Sequence, residues 1–454
     1  MDKIPERCHQ TRRRLYPLLA RGKGGLGPLH PIRRLLLHLP MRMCWAKVII
    51  GDSRRMTELA EESVGLVVTS PPYWHIKDYG ISGQIGYNQT LHEYFKDLYR
   101  VWEECFRVLK PGRRLCINIG DQFARSILYG RYKVIPLHAE VISQCERIGF
   151  DYMGAIIWQK KTTMNTTGGA TVMGSYPYPP NGMVEVDYEF ILIFKKPGKS
   201  ENVPKEVRER SKLTKEEWKE YFSGHWRFGG EKQINHEAMF PEELPRRLIR
   251  MYSLIGDVVL DPFLGSGTTI KVALEIQRNG IGYEINEDFI KIISDKIGNN
   301  LLLELFNLEI VRRTQKIDLD SIPYEPSVPD AKPLLDPRNL DLNRGKMYKV
   351  VNIVSEDTIE LDTGLLVKFL GVDVIDKKRA VEYLREYVLK RDVMIKVEEG
   401  SVIDENTIFA YVYLKNKIFV NAYLIKSGIA RVDKKREYKL RKKFIEIENQ
   451  RKHG

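Results

Sequence analysis

The chain is short of the residues that mark several protein classes. Five cysteines in 454 residues, an odd number without metal-type spacing, argue against a disulfide framework and for a reducing compartment. No apolar run approaches the roughly 18 residues needed to span a bilayer, so a membrane is not an expected partner. Acids are scarce at the ends: residues 1–50 hold 11 Lys/Arg against 2 Asp/Glu, and residues 344–454 hold 24 against 17, within a formal net charge of +13. Basic ends around a near-neutral middle suit a polyanion such as DNA, although a solvated basic surface gives the same numbers. The length allows two or three domains, each with its own core. Residues 1–45 carry Arg12, Arg13, Arg14, Arg33 and Arg34 without a sustained period. They are expected to be a disordered extension, or to precede a true start at Met41 or Met43, with no catalytic role.

What is present centres on one turn. The strand-like run Val64, Leu66, Val67, Val68 closes on Thr69-Ser70-Pro71-Pro72-Tyr73-Trp74. Two prolines fix φ and remove two amide donors, leaving acceptors (the Ser70 hydroxyl and the carbonyls around Pro71) beside the flat face of Tyr73. Such a turn can receive the amino group of a nucleobase; a Pro-Pro turn with core aromatics accounts for it equally when it stands alone. A second stretch, Asp261 to Thr269, follows the buried-strand pattern Val258-Val259-Leu260. Gly265 and Gly267 let the backbone pass close under a ligand, and Glu284 lies 23 positions beyond Asp261 at the end of the next strand pattern. That spacing is expected of a nucleoside site whose second acid takes the ribose hydroxyls. A nucleotide-phosphate loop would need Lys after its glycine, and Ile270 stands where a dinucleotide fingerprint has its third glycine.

Together the two stretches resemble the signature motifs of the amino-group DNA methyltransferases, in the order of that family's β arrangement, and the run from Phe106 to Asp121 resembles a further family segment. The resemblance implies an α/β fold: a Rossmann-like methyltransferase sheet with helices on both faces. It implies S-adenosylmethionine as methyl donor, with no metal required, and double-stranded DNA as substrate. A cognate restriction endonuclease is an implied partner and a prokaryotic cytoplasm the implied location. It assigns catalysis to Ser70, Pro71, Pro72 and Tyr73. Cofactor binding falls to Asp52, His236, Phe240, Asp261, Phe263, Gly265, Gly267, Thr268 and Glu284, with Asp52 towards the adenine and Asp261 and the glycines towards the methionyl part. Helix capping is the alternative for Asp52, His236 and Phe240. Asp121 is a candidate for shaping the base pocket, or a simple strand-end turn. Ser before Pro-Pro favours N4 of cytosine, with N6 of adenine the second reading. No cysteine follows a proline, which disfavours covalent attack at carbon 5 of cytosine.

The remaining pattern divides the chain. A methyltransferase domain is expected over 46–310, with a DNA-reading insert at about 162–235 and a helix over Leu91 to Leu109 that Lys110-Pro111-Gly112 stops. Five prolines between Pro323 and Pro337 mark an extended linker over 311–344. Residues 345–454 alternate short strand patterns with helices, as in a small C-terminal β-barrel (OB-like), and Val420 to Val432 resembles the staphylococcal-nuclease-like fold. In that resemblance Asp357 and Asp373 stand at calcium-ligand positions, but Lys368 and Thr407 replace the two catalytic arginines and Asp376 a glutamate. Without a guanidinium fork, phosphate hydrolysis is expected to be slow or absent. The domain is read as a degenerate module for DNA contact or packing.

Overall fold

The computed structural model describes residues 44–74, 80–81, 83–124, 133–160, 180, 182, 184, 186–229, 241–298, 307–313, 319, 321–328, 335, 339–340, 346–398 and 400–453. Its larger sheet comprises β1 (Trp45–Ile50), β2 (Val64–Thr69), β3 (Leu109–Ile119), β6 (Asp151–Lys160), β7 (Tyr188–Lys195), β8 (His225–Phe228), β9 (Val258–Asp261), β10 (Asn279–Glu284) and β11 (Asn307–Arg312). Between β3 and β6, β4 (Gln122–Ala124) and β5 (Lys133–Ile135) form a separate two-stranded ribbon. The order is β11-β1-β10-β9-β2-β3-β7-β6-β8. All pairings from β11 to β3 are parallel, and β7 is antiparallel to both β3 and β6. This is the expected Rossmann-like sheet. All six residues of β2 are buried, as befits a central parallel strand covered on both faces.

Local chemistry sets the element ends. The helix Leu91–Val108 starts at a capping box, in which Thr90 Oγ1 accepts from the Glu93 amide and Glu93 Oε2 accepts from the Thr90 amide. Leu91, Tyr94, Leu98, Val101, Trp102, Cys105 and Val108 are buried along one side. Lys110-Pro111-Gly112, expected to separate helix from strand, instead lies inside β3, which begins directly at Leu109. Turns, not a helix that Asp52 could cap, follow β1. β11 was not anticipated: it adds to β1 in parallel, and Leu308 and Ile310 pack on the adjoining core.

The second body is a closed barrel. β12 (Tyr348–Ser355), β13 (Thr358–Leu361), β14 (Leu366–Phe369), β18 (Thr407–Leu414) and β16 (Asp392–Lys396) pair in a ring, since β14 pairs with β18 and β16 with β12. β17 (Val402–Asp404) adds to β18, while β15 (Val372–Val374) and β19 (Ala430–Val432) form a ribbon of their own. Buried Asn421 joins the helix Val420–Lys426 to the barrel, donating to the Leu370 and Ala410 carbonyls and accepting from the Val412 amide. The segment before the barrel is docked, not free. Glu140, 1% exposed on the helix Leu137–Ile148, accepts from the Tyr324 hydroxyl and from the amides of Ser327 and Val328. Among the described residues no helix is long and apolar enough to cross a membrane.

Candidate functional site

Topology brings the two distant motifs together. β2 and β9 are parallel neighbours, with Leu66 opposite Val259 and Val67 opposite Leu260, so their carboxyl ends emerge side by side at the middle of the sheet. Thr69, the last residue of β2, donates from Oγ1 to Asp261 Oδ1 at 2.7 Å across 192 residues of sequence. Asp261 Oδ2 accepts from Thr269 Oγ1 at 2.6 Å, and Oδ1 also accepts from the Phe263 amide at 3.1 Å. Asp261 is therefore wholly buried and spends its carboxylate on the protein itself. This differs from direct ligand contact: the side chain ties the Ser-Pro-Pro-Tyr turn to the glycine loop. Burial pushes its pKa up to about 6, against the opposing hydrogen bonds of Thr269, Thr69 and the Phe263 amide.

The glycine loop lies at the head of the helix Thr268–Glu275. Gly265 and Gly267 have φ of 53° and 88°, left-handed values that favour glycine. A Cβ on Gly265 would meet nothing within 4 Å, so the loop is open to a ligand there. Glu284 accepts from the Gly265 and Asn286 amides, each at 2.8 Å, and burial raises its pKa against those amides. Phe263 meets Trp102 edge-on at 6.2 Å. Thr268 Oγ1 and Ser266 Oγ accept from Lys296 Nζ at 2.7 and 2.8 Å. Asp52, just past β1, is held by Arg54, whose guanidinium also reaches Asp97 Oδ2 at 2.6 Å. Asp97 in turn accepts from Gln89 Nε2, and Gln89 Oε1 accepts from the Gly86 amide. His236 and Phe240 lie outside the described residues.

The Ser-Pro-Pro-Tyr turn is braced at several points. Ser70, Pro72 and Tyr73 are half-buried and Pro71 is buried. The Tyr94 hydroxyl donates to the Pro72 carbonyl at 2.9 Å, and Trp74 Nε1 to the Gln89 carbonyl at 2.9 Å. Gly86, at φ 100°, lies so close that a Cβ there would come within 2.9 Å of the Tyr73 carbonyl oxygen. The Tyr73 hydroxyl donates to Glu189 Oε1 at 2.6 Å. Glu189 Oε2 accepts from Asn118 Nδ2 at 2.7 Å, and Lys160 Nζ bonds Oε1. Asn118 Oδ1 is buried without a partner among the described residues, an acceptor left open. Asp121 holds His138 Nδ1 at 2.7 Å, and the His138 ring stacks on Phe190 at 3.9 Å.

Sequence reasoning missed Thr69, Tyr94, Asn118, Lys160 and Glu189. The one available signal was an acid, Glu189, at the start of an otherwise apolar strand. Cys105, Cys116 and Cys145 are buried with thiol pKa values raised by desolvation, so none is a ready nucleophile. Among the described residues no group of three or more His, Cys, Asp or Glu could hold a metal ion.

Comparison with known proteins bears on this site. Residues 64–295 match the family model of N6/N4 DNA methylases, and residues 377–453 that of staphylococcal nuclease homologues. The Type II methyltransferase M.MjaI of Methanocaldococcus jannaschii is 41% identical over 298 residues, covering 59% of this chain and 96% of the relative. M.MthZI of Methanothermobacter thermautotrophicus is 36% identical, covering 59% and 80%. Among solved structures, the putative DNA modification methylase TTHA0409 of Thermus thermophilus, complexed with S-adenosyl-L-methionine, is 35% identical over 60% of this chain and all of its own, with a TM-score of 0.49. The first match runs from β2, through the Ser-Pro-Pro-Tyr turn, past the glycine loop and Glu284, and takes in just over half of the sequence. The chain belongs to the N6/N4 DNA methylase family.

Proposed function

We propose that the chain transfers a methyl group from S-adenosylmethionine to the exocyclic N4 of cytosine in double-stranded DNA. The observation that carries this reading is the Thr69–Asp261 bond, because it sets the Ser-Pro-Pro-Tyr turn beside the glycine loop. A duplex hides the amine, so the target base is flipped out at a cost of a few kcal/mol and stacked on Tyr73. Ser70 Oγ and the Pro71 carbonyl accept from the amino group, turning its lone pair out of conjugation. The donor supplies a sulfonium-activated methyl carbon when bound. Gly265 and Gly267 give it room, Glu284 takes its ribose hydroxyls, and Asp52 lies towards its adenine. Phe263, Thr268 and Asp261 shape the loop around it. Positioning of this kind accounts for much of the rate in two-substrate transfer.

Serine in place of an acid ahead of Pro71-Pro72 supports cytosine. The test is methylation of plasmid DNA with the full chain, digestion to nucleosides and base-resolution mapping. N4-methylcytosine is expected; N6-methyladenine alone would move the assignment to adenine while keeping the enzyme class. The domain reading that goes with it is a methyltransferase unit from β1 to β11, a docked strap and the C-terminal barrel, the last contacting DNA without cutting it.

A further inference from the structure

We propose that Glu189 is a positioning residue for methyl transfer: its carboxylate fixes the plane of the Tyr73 ring on which the target base stacks. The inference rests on the functional reading above. In the sheet order β2-β3-β7-β6, Tyr73 follows β2 while Glu189 stands on β7, so the tyrosine reaches across the end of β3 to make its 2.6 Å bond. A side chain spanning two strands needs a fixed anchor at its far end, and Glu189 is 5% exposed.

The segment Asn118-Ile119-Gly120-Asp121 is built around this carboxylate. Asn118 donates to Oε2 at 2.7 Å. Gly120 packs tightly on it, since a Cβ there would lie 3.0 Å from Glu189 Cγ and press on that side chain. Asp121 holds His138, whose ring covers Phe190, the next residue along β7. From the other side Lys160 Nζ bonds Oε1 and lies 5.2 Å from the Trp158 ring centroid, which limits its own freedom. A buried carboxylate on which a lysine, an amide and a phenol converge is held in one orientation, the condition for a directional acceptor.

The near end of Tyr73 is fixed independently. The Pro72 carbonyl is bound by Tyr94 and the Tyr73 carbonyl is closed in by Gly86. With the near end held, the 2.6 Å bond to Glu189, backed by Lys160 Nζ at 3.5 Å from the same hydroxyl, sets the tilt of the ring. Misplacement of a stacked substrate by about 1 Å costs on the order of 100-fold in rate, so losing the anchor acts on turnover rather than on binding.

The experiment compares Glu189→Ala, Tyr73→Phe, the double variant and Glu189→Gln in the full chain, on a duplex containing the mapped target. Glu189→Ala and Tyr73→Phe are each expected to lower kcat by about 10-fold or more, with KM for DNA and Kd for the donor within about 3-fold of wild type. The double variant should be no slower than the worse single one, because both remove the same bond. Glu189→Gln keeps one acceptor and should recover part of the loss. With 2-aminopurine at the target position, wild-type complexes should show quenched, stacked emission and both single variants a brighter signal. Effects that multiply in the double variant, a Glu189→Ala enzyme within about 2-fold of wild-type kcat, or loss of donor binding by Glu189→Ala would overturn the proposal. Tyr73→Phe keeps the test readable if Glu189→Ala fails to fold. A wild-type chain that methylates no DNA refutes the underlying reading, and this proposal with it, before any variant is compared.

Discussion

Asp261 shows how one side chain can be costly and still be needed. Its folded pKa of about 6 stands above the ordinary 3.8, so folding favours the protonated form. The stability it contributes is complete below the unfolded pKa and is lost as pH rises through the folded one. Asp261→Asn removes the titration while keeping shape and one acceptor. Between about pH 4.5 and about pH 7.5 the stability of wild type relative to this variant is expected to fall by on the order of 2 kcal/mol, read by chemical denaturation. A pH-independent difference would show that the carboxyl is already ionised in the fold at the acid end. At neutral pH the chain carries the ionised form because Thr69, Thr269 and the Phe263 amide all converge on it. The Asp-Pro-Phe motif was legible in the sequence, but its direction was not. Motif resemblance pointed Asp261 at a ligand, whereas the partner that occupies it, Thr69, lies 192 residues away and is fixed only by the pairing of β2 with β9.

At the level of elements, what could be read depended on whether the cause was local. Thr90 and Glu93 announce a helix start, and the helix begins at Leu91. Prolines remove the donors a helix or strand needs, and residues 321–328 form neither. The docking of that stretch could not be read. Pro323 and Pro326 have no amide hydrogen, while Ser327 and Val328 do, and both give theirs to Glu140. Tyr324 adds its hydroxyl, stacks on Tyr99 at 4.4 Å and lies 5.3 Å from the Arg147 guanidinium. Burial, then the hydrogen bond and charge of Glu140, raises the Tyr324 phenol pKa, so it remains a donor at working pH. Glu140→Ala leaves three donors facing an apolar methyl and is expected to cost about 2–4 kcal/mol in denaturation, with new protease cleavage within residues 321–328. Glu140→Gln, retaining one acceptor oxygen, should lose less. Equal resistance to protease in all three proteins would mean that the strap is held by something other than Glu140.

The whole molecule joins a body whose motifs were legible to a barrel whose chemistry is defined by replacement. Charge counts pointed to a polyanion, and one buried hydrophobic cluster runs from the sheet through Tyr324, Val328, Leu335 and Leu340 to the barrel. Closure of the barrel through β14 and β18 was beyond reach, since that parallel pairing joins segments about 40 residues apart with no turn to announce it. Two acids of the barrel, Asp357 and Asp373, are engaged by neighbouring cations. Asp357 pairs with Lys368 at 3.1 Å, and its pKa is lowered by Thr358, Lys368 and Ser355 against desolvation, while Asp373 pairs with Arg431 at 2.7 Å. On the resemblance to the staphylococcal-nuclease-like fold, Lys368 and Thr407 stand where that fold has two arginines, and an ammonium and a hydroxyl lack the guanidinium fork that holds a phosphate in a fixed plane. The full chain with millimolar magnesium or calcium is therefore expected to leave supercoiled plasmid intact over the time in which it methylates it fully. A gel of the reaction reports nicking, and digestion of the same DNA to nucleosides reports methylation. Cation-dependent nicking that disappears in Asp357→Ala would establish the barrel as a working nuclease. Nicking that survives that substitution would trace to a contaminating activity, because Asp357 is the acid that Ser355, Thr358 and Lys368 jointly hold in its ionised form.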